Sequence, residues 1–186
     1  MVAGSHPDVI RAADMLRLFH PAAEVFAGVR AVEAGFVPEP YRRLLDHTSH
    51  MTVAMERHHG GPVSLHVVRV AEGSAAGRGY AREILLARGD GLVVQYGIVR
   101  IDLSAIDGGT AAAIRAAEVP LGRLLIEAGL LRDVHDVGLL EVTPGPGLCR
   151  LFDRVGCPAT FGRVAEISIS GRPAIELLEV AAPHTS

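Results

Sequence analysis

Apolar positions along the first third of the chain recur at helical spacing. Val9, Ile10, Ala13 and Leu16 share one face of a stretch that Pro7 can open, which predicts a helix. The Ala-rich stretch 21–35, "PAAEVFAGVRAVEAG", predicts a second helix, stopped by Gly35 and the prolines at 38 and 40. Residues 41–59 predict a short helical piece, a polar break at Asp46–Ser49, and a helix through His59 that Gly60 and Gly61 end.

After residue 61 the period changes. Segments 62–70, 80–88 and 92–103 are rich in β-branched residues and predict strands. "RGDG" at 88–91 predicts a hairpin that pairs the last two antiparallel. Residues 108–131 are helical in pattern on either side of Pro120, with Thr110 placed to cap the first helix and Pro120 to open the second. "VGLLEVTPGPG" predicts a strand closed by a Pro/Gly turn, and the chain ends in two strands around Ser170-Gly171-Arg172. Helices, strands, helices, then strands predict an α+β domain with a mostly antiparallel sheet.

Three polar features interrupt this pattern. In "YAREILL" (80–86), Arg82 alternates with Tyr80, Ile84 and Leu86, so it points into apolar surroundings. A guanidinium there needs a partner, either a glutamate across the sheet or the carboxylate of a ligand. In "PAIELLEV", Glu176 and Glu179 fall on opposite strand faces, each among aliphatic residues. Whichever faces the core must pair with an arginine or have the raised pKa of a general acid or base. The third feature is the histidine group His47, His50, His58, His59 and His66. His47 and His50 could meet one ion, but a tetrahedral site takes three protein ligands, so hydrogen-bonded or solvated histidines are expected and no metal.

Composition narrows the function classes. The 186 residues are 49% hydrophobic and 21% charged, with a net charge of −3, which fits one globular domain and no general nucleic-acid partner. There is no Trp or Lys, so neither a base-stacking platform nor a P-loop lysine is available. Cys149 and Cys157 have no metal-ligand spacing. Asp8, Arg11, Asp14 and Arg17 break the first apolar run, so neither a signal peptide nor a membrane span is expected, and the expected location is cytoplasmic.

Four blocks in order, "LLDHTSHMTVAMER", "YAREILLARGDG", "VPLGRLL" and "FGRVAEISISGRPAIELLEVAAP", resemble the chorismate pyruvate-lyase family. The resemblance covers residues 41–186 as a chorismate lyase-like domain and leaves 1–40 as an N-terminal helical extension. It implies helices enclosing an internal ligand cavity, and pyruvate elimination from chorismate without cofactor. Arg82 would grip a carboxylate, Leu121 and Gly122 would hold the ligand at a helix start, and Met51 would line the cavity. Glu179 or Glu176 would move the proton. Where the family is expected to carry an arginine after Gly97 the chain has Ile98; Arg100, the nearest basic residue, and Tyr96 of the same strand are expected among the substrate-binding residues. The alternatives are a non-catalytic ligand-sensing domain of the UTRA type, or a sibling enzyme on another carboxylated substrate. The expected partner is a small carboxylate, the expected assembly a monomer or homodimer.

Overall fold

The computed structural model describes residues 6–20, 24–73, 79–129 and 132–184. Its frame is one sheet of β1 (Phe26–Ala31), β2 (Val63–Gly73), β3 (Gly79–Arg88), β4 (Val93–Asp102), β5 (Arg132–Pro144), β6 (Thr160–Ile169) and β7 (Arg172–Ala181), in the order β1-β5-β6-β7-β4-β3-β2. Every neighbouring pair is antiparallel. The helices are α1 (Pro7–Leu16), α2 (Tyr41–Leu45), α3 (Met51–His59), α4 (Gly108–Ala116), α5 (Leu121–Glu127) and α6 (Pro146–Leu151). This is the single-domain α+β architecture that the pattern and the resemblance predict. No helix among the described residues is long and apolar enough to cross a membrane.

Helices cover both faces of the sheet. On one face α1 and α6 bury Val9, Ala12, Met15 and Leu148 against Tyr96, Ile98, Val164 and Leu178. On the other, Ile114 of α4 and Leu124 and Leu125 of α5 pack on Val99, Ala165 and Leu177. Leu44, Leu45, Met51 and Met55 of α2 and α3 extend that layer over Leu86 and Leu139. A fully buried leucine such as Leu125 or Leu178 contributes about 1.5–3 kcal/mol. The β3–β4 hairpin falls where "RGDG" places it, and Gly60 ends α3 in the left-handed conformation at φ 70°.

Three elements differ from expectation. The helix predicted over 21–35 is strand β1 from Phe26 to Ala31, hydrogen-bonded to β5; residues 21–23 lie outside the described ones. Phe26, Gly28 and Val29 are poor helix formers, so pairing with an open sheet edge outweighs the helix preference of the alanines around them. The helical extension expected over 1–40 is thus, in its described part, a helix and an edge strand that share the common sheet and core. The Pro/Gly turn predicted at 144–147 leads instead into α6, with Pro146 in its first turn. Asp107, not Thr110, caps α4, its carboxylate accepting from the Thr110 N–H at 2.9 Å.

Candidate functional site

Consecutive strand residues point to opposite faces, so the register decides which polar side chains can meet. Arg82 pairs across the ladder with Val99, Val99 with Leu177, and Leu177 with Ala165. The next row along is Glu83, Ile98, Leu178 and Val164. Arg82, Gln95, Arg163 and Glu179 therefore share the face under α2–α5. Glu83, Tyr96, Arg100 and Glu176 share the face under α1 and α6.

A cavity lies on the first face, with about 590 Å³ of empty space including its mouth. Its floor is Arg82, Ile84 and Leu86 of β3, Gln95, Gly97 and Val99 of β4, Leu177 and Glu179 of β7, and Arg163 and Ile167 of β6. Its roof is the start of α3, Ser49 to Thr52, with Pro120, Leu121 and Gly122 at the start of α5. Two glycines make the enclosure possible. A Cβ at Gly122 would lie 3.0 Å from the Cβ of His50, so α5 approaches α3 this closely only with glycine there. Gly97 opposes Glu179 in the ladder and leaves a dip in the floor between Gln95 and Val99. Arg123 of α5 pairs with Glu56 of α3, fastening the two roof helices to each other.

The two arginines of the cavity are held differently. Arg163, 1% exposed, donates from Nε to Glu179 Oε2 at 2.7 Å. Its Nη1 donates to the carbonyl of His47 at 2.8 Å and reaches that of Leu45 at 3.4 Å, while Nη2 reaches the carbonyl of Ser49 at 3.4 Å. Arg163 thus ties Glu179 to the loop that leads into α3. His47 accepts from the same guanidinium at 3.2 Å through Nδ1; burial, and then Arg163, lowers its pKa.

Arg82 is also 1% exposed, yet its one hydrogen bond among the described residues goes to the carbonyl of Ile114 in α4, at 3.2 Å. Among the described residues its Nε has no partner and no carboxylate pairs with it. Burial lowers its pKa, and the neighbouring Tyr80 offsets part of that. The cavity lining therefore holds two guanidinium groups and one carboxylate, an excess of one positive charge. Gln95, 1% exposed, adds a carbonyl oxygen without a partner among the described residues.

Of the residues expected in a site, the structure brings together Arg82, Glu179, Met51, Leu121 and Gly122. Tyr96, Arg100 and Glu176 are on the far face and are corrected. Tyr96 donates from its hydroxyl to Glu83 at 2.8 Å; burial, followed by Glu83, raises its pKa well above the usual tyrosine range. Arg100 and Glu176 face each other across β4 and β7 and form an ion pair. Of the histidine group, His50 alone lines the cavity. His58 and His59 pack edge-on at 4.7 Å near the C-terminus, where His184 joins them. His66 is exposed and meets the Ser64 hydroxyl at 3.2 Å. Sequence reasoning missed Gln95 and Arg163. For both, the available signal was a polar residue on the strand face shared by Arg82 or Glu179.

No protein-family model matches the chain, and no curated protein matches it. Solved structures do. The effector domain of PhnF from Mycobacterium smegmatis is 15% identical over 72% of this chain and 88% of that one, with a TM-score of 0.49. The C-terminal domain of the histidine utilization repressor from Pseudomonas syringae pv. tomato is 11% identical over 67% and 95%, at 0.46. A GntR-family transcriptional regulator from Enterococcus faecalis is 13% identical over 64% and 93%, at 0.43.

The expected carbon–oxygen lyase is overturned. Of the structures named above, one belongs to a repressor and one to a GntR-family transcriptional regulator, and neither is a lyase. The two carboxylates assigned to proton transfer are held by arginines, Glu179 by Arg163 and Glu176 by Arg100.

Proposed function

We propose that this chain is a small-molecule binding domain whose cavity takes a ligand with one anionic group and an apolar body, and binds it without converting it. Arg82 carries the reading: it is a buried guanidinium with no carboxylate partner among the described residues, set in a floor of Ile84, Leu86, Val99 and Leu177. A lone buried charge is costly, and a ligand carboxylate offsets that cost with charge-assisted hydrogen bonds in the fork geometry arginine favours. The first turn of α3, in the cavity roof, adds backbone N–H groups of the kind that favour an anion. Gln95 and Thr52 can read a second polar group on the ligand. An effector-domain role is stated for the PhnF structure; for this chain that role rests on Arg82 and its cavity.

Thermal-shift titration with 4-hydroxybenzoate and its neutral amide tests the reading. The acid should raise Tm in proportion to the logarithm of its concentration, and the amide should not. Arg82→Met removes the charge at similar length and should abolish the shift. An equal response to acid and amide, or a shift that survives Arg82→Met, would remove the proposal.

A further inference from the structure

The sheet face away from the cavity carries a polar row near the start of α1. His135 of β5 faces Glu166 of β6, and Glu166 faces Glu176 of β7. Carboxylates directly opposite one another on neighbouring strands repel. Glu176 has Arg100. Among the described residues, no hydrogen bond or ion pair reaches the half-buried side chain of Glu166.

The register of β5 against β6 shifts between His135 and Gly138, and Asp136 sits at φ 50° in that bulge. The turn brings its carboxylate to the same place. One ligand atom each from His135, Asp136 and Glu166 lies within 4.8 Å of the others. His135 is held through both nitrogens, with Nδ1 3.1 Å from Asp136 Oδ2 and Nε2 2.8 Å from Ser168 Oγ. Arg11, the cation above the row, borders the site without pairing with Glu166. Its Nη1 donates to the carbonyl of Asp136 at 2.8 Å and contacts Asp8 Oδ1 at 3.3 Å.

We propose that His135, Asp136 and Glu166 form a binding site for a divalent first-row metal ion. One imidazole nitrogen and two carboxylate oxygens suit Zn²⁺ or Mn²⁺, with water completing the coordination. Nδ1 is the ligand atom. Nε2–H donates to Ser168, the kind of outer hydrogen bond that fixes the tautomer of a metal-bound histidine. The ion supplies the positive charge that Glu166 lacks and ties the β5 bulge to β6. The site is independent of the cavity, which lies across the sheet.

Isothermal titration of the full chain with ZnCl₂ is the test, and one site is expected. Glu166→Gln and His135→Gln should each weaken it at least tenfold, since losing even a hydrogen-bonded partner of a ligand costs about that much. The double variant His58→Gln/His59→Gln should leave it unchanged. Melting temperature provides a second readout. Without metal, Glu166→Gln should melt no lower than wild type, because it removes the repulsion with Glu176; with Zn²⁺ wild type should gain and the variant should not. A wild type that binds no Zn²⁺, or a site that survives both single variants, overturns the proposal.

Discussion

Arg82 and Glu83 are neighbours in one strand, both almost wholly buried and both charged, yet their surroundings are opposite. Glu83 receives the Tyr96 hydroxyl at 2.8 Å, contacts His20 Nε2, and lies 3.6 Å from Arg69 Nε. Arg69 also donates to the carbonyl of Phe19 at 2.8 Å, so this cluster fastens the segment after α1 to the sheet. Arg82, across the same backbone, has one carbonyl and no counter-charge among the described residues. A charge with its partners built in belongs to the architecture, whereas one left without them is the charge that the proposed ligand would neutralise.

The comparison predicts effects of opposite sign. Glu83→Ala strands a tyrosine, a histidine and an arginine at once, and should cost about 3–5 kcal/mol in urea unfolding, as expected when one member of a buried ionic cluster is removed. Arg82→Met removes an uncompensated charge and should raise stability by about 1–3 kcal/mol while ending ligand binding. A loss of stability there would mean that Arg82 is structural, like Glu83. The ion pair of Arg100 and Glu176 is partly exposed on the far face, so Glu176→Gln should cost about 1 kcal/mol or less and leave ligand affinity unaltered.

Histidines give the smallest effect. Burial, the leading cause at each, lowers the pKa of His47, His58, His59 and His184 below 6.5. For His184 the cause after burial is His58, and for His47 it is Arg163. Between these lowered values and about 6.5 the unfolded chain binds protons that the folded chain refuses. Their contribution is therefore fully present above about pH 6.5 and is lost as the pH falls through the folded values. Urea midpoints at about pH 7.5 and about pH 5.5 should show the drop, and His58→Gln should flatten it. An unchanged slope in that variant would place the acid sensitivity elsewhere.

The alternation in "YAREILL" made Arg82 legible in the sequence, because a charge among β-branched and aromatic neighbours has few alternatives to a buried face. The choice between Glu176 and Glu179 was not legible. Helices cover both sides of this sheet, so "PAIELLEV" is apolar on both faces and its alternation points nowhere. Only the pairing of Glu179 with Gly97, far back in the sequence, and with Arg163, across a hairpin whose register shifts between Ile167 and Ser168, assigns it to the cavity. Strand β1 escaped for a related reason, since its partner β5 lies more than a hundred residues further on. The carboxylate and histidine row at Glu166 escaped because a bulge, invisible to period-2 counting, brings Asp136 to it.

Arg163 grips the loop before α3 chiefly through the main chain, at the carbonyls of Leu45, His47 and Ser49, with one ring nitrogen of His47 beside them. Every amino acid offers the same carbonyl. The main-chain part of this grip is therefore independent of the side chains at 48 and 49, although the Ser49 hydroxyl also meets His47 Nδ1 at 3.0 Å, and the anchoring of the loop is in that part separate from its chemistry. Varying position 49, the one of the two that lines the cavity, would be a direct way to retune what the cavity accepts.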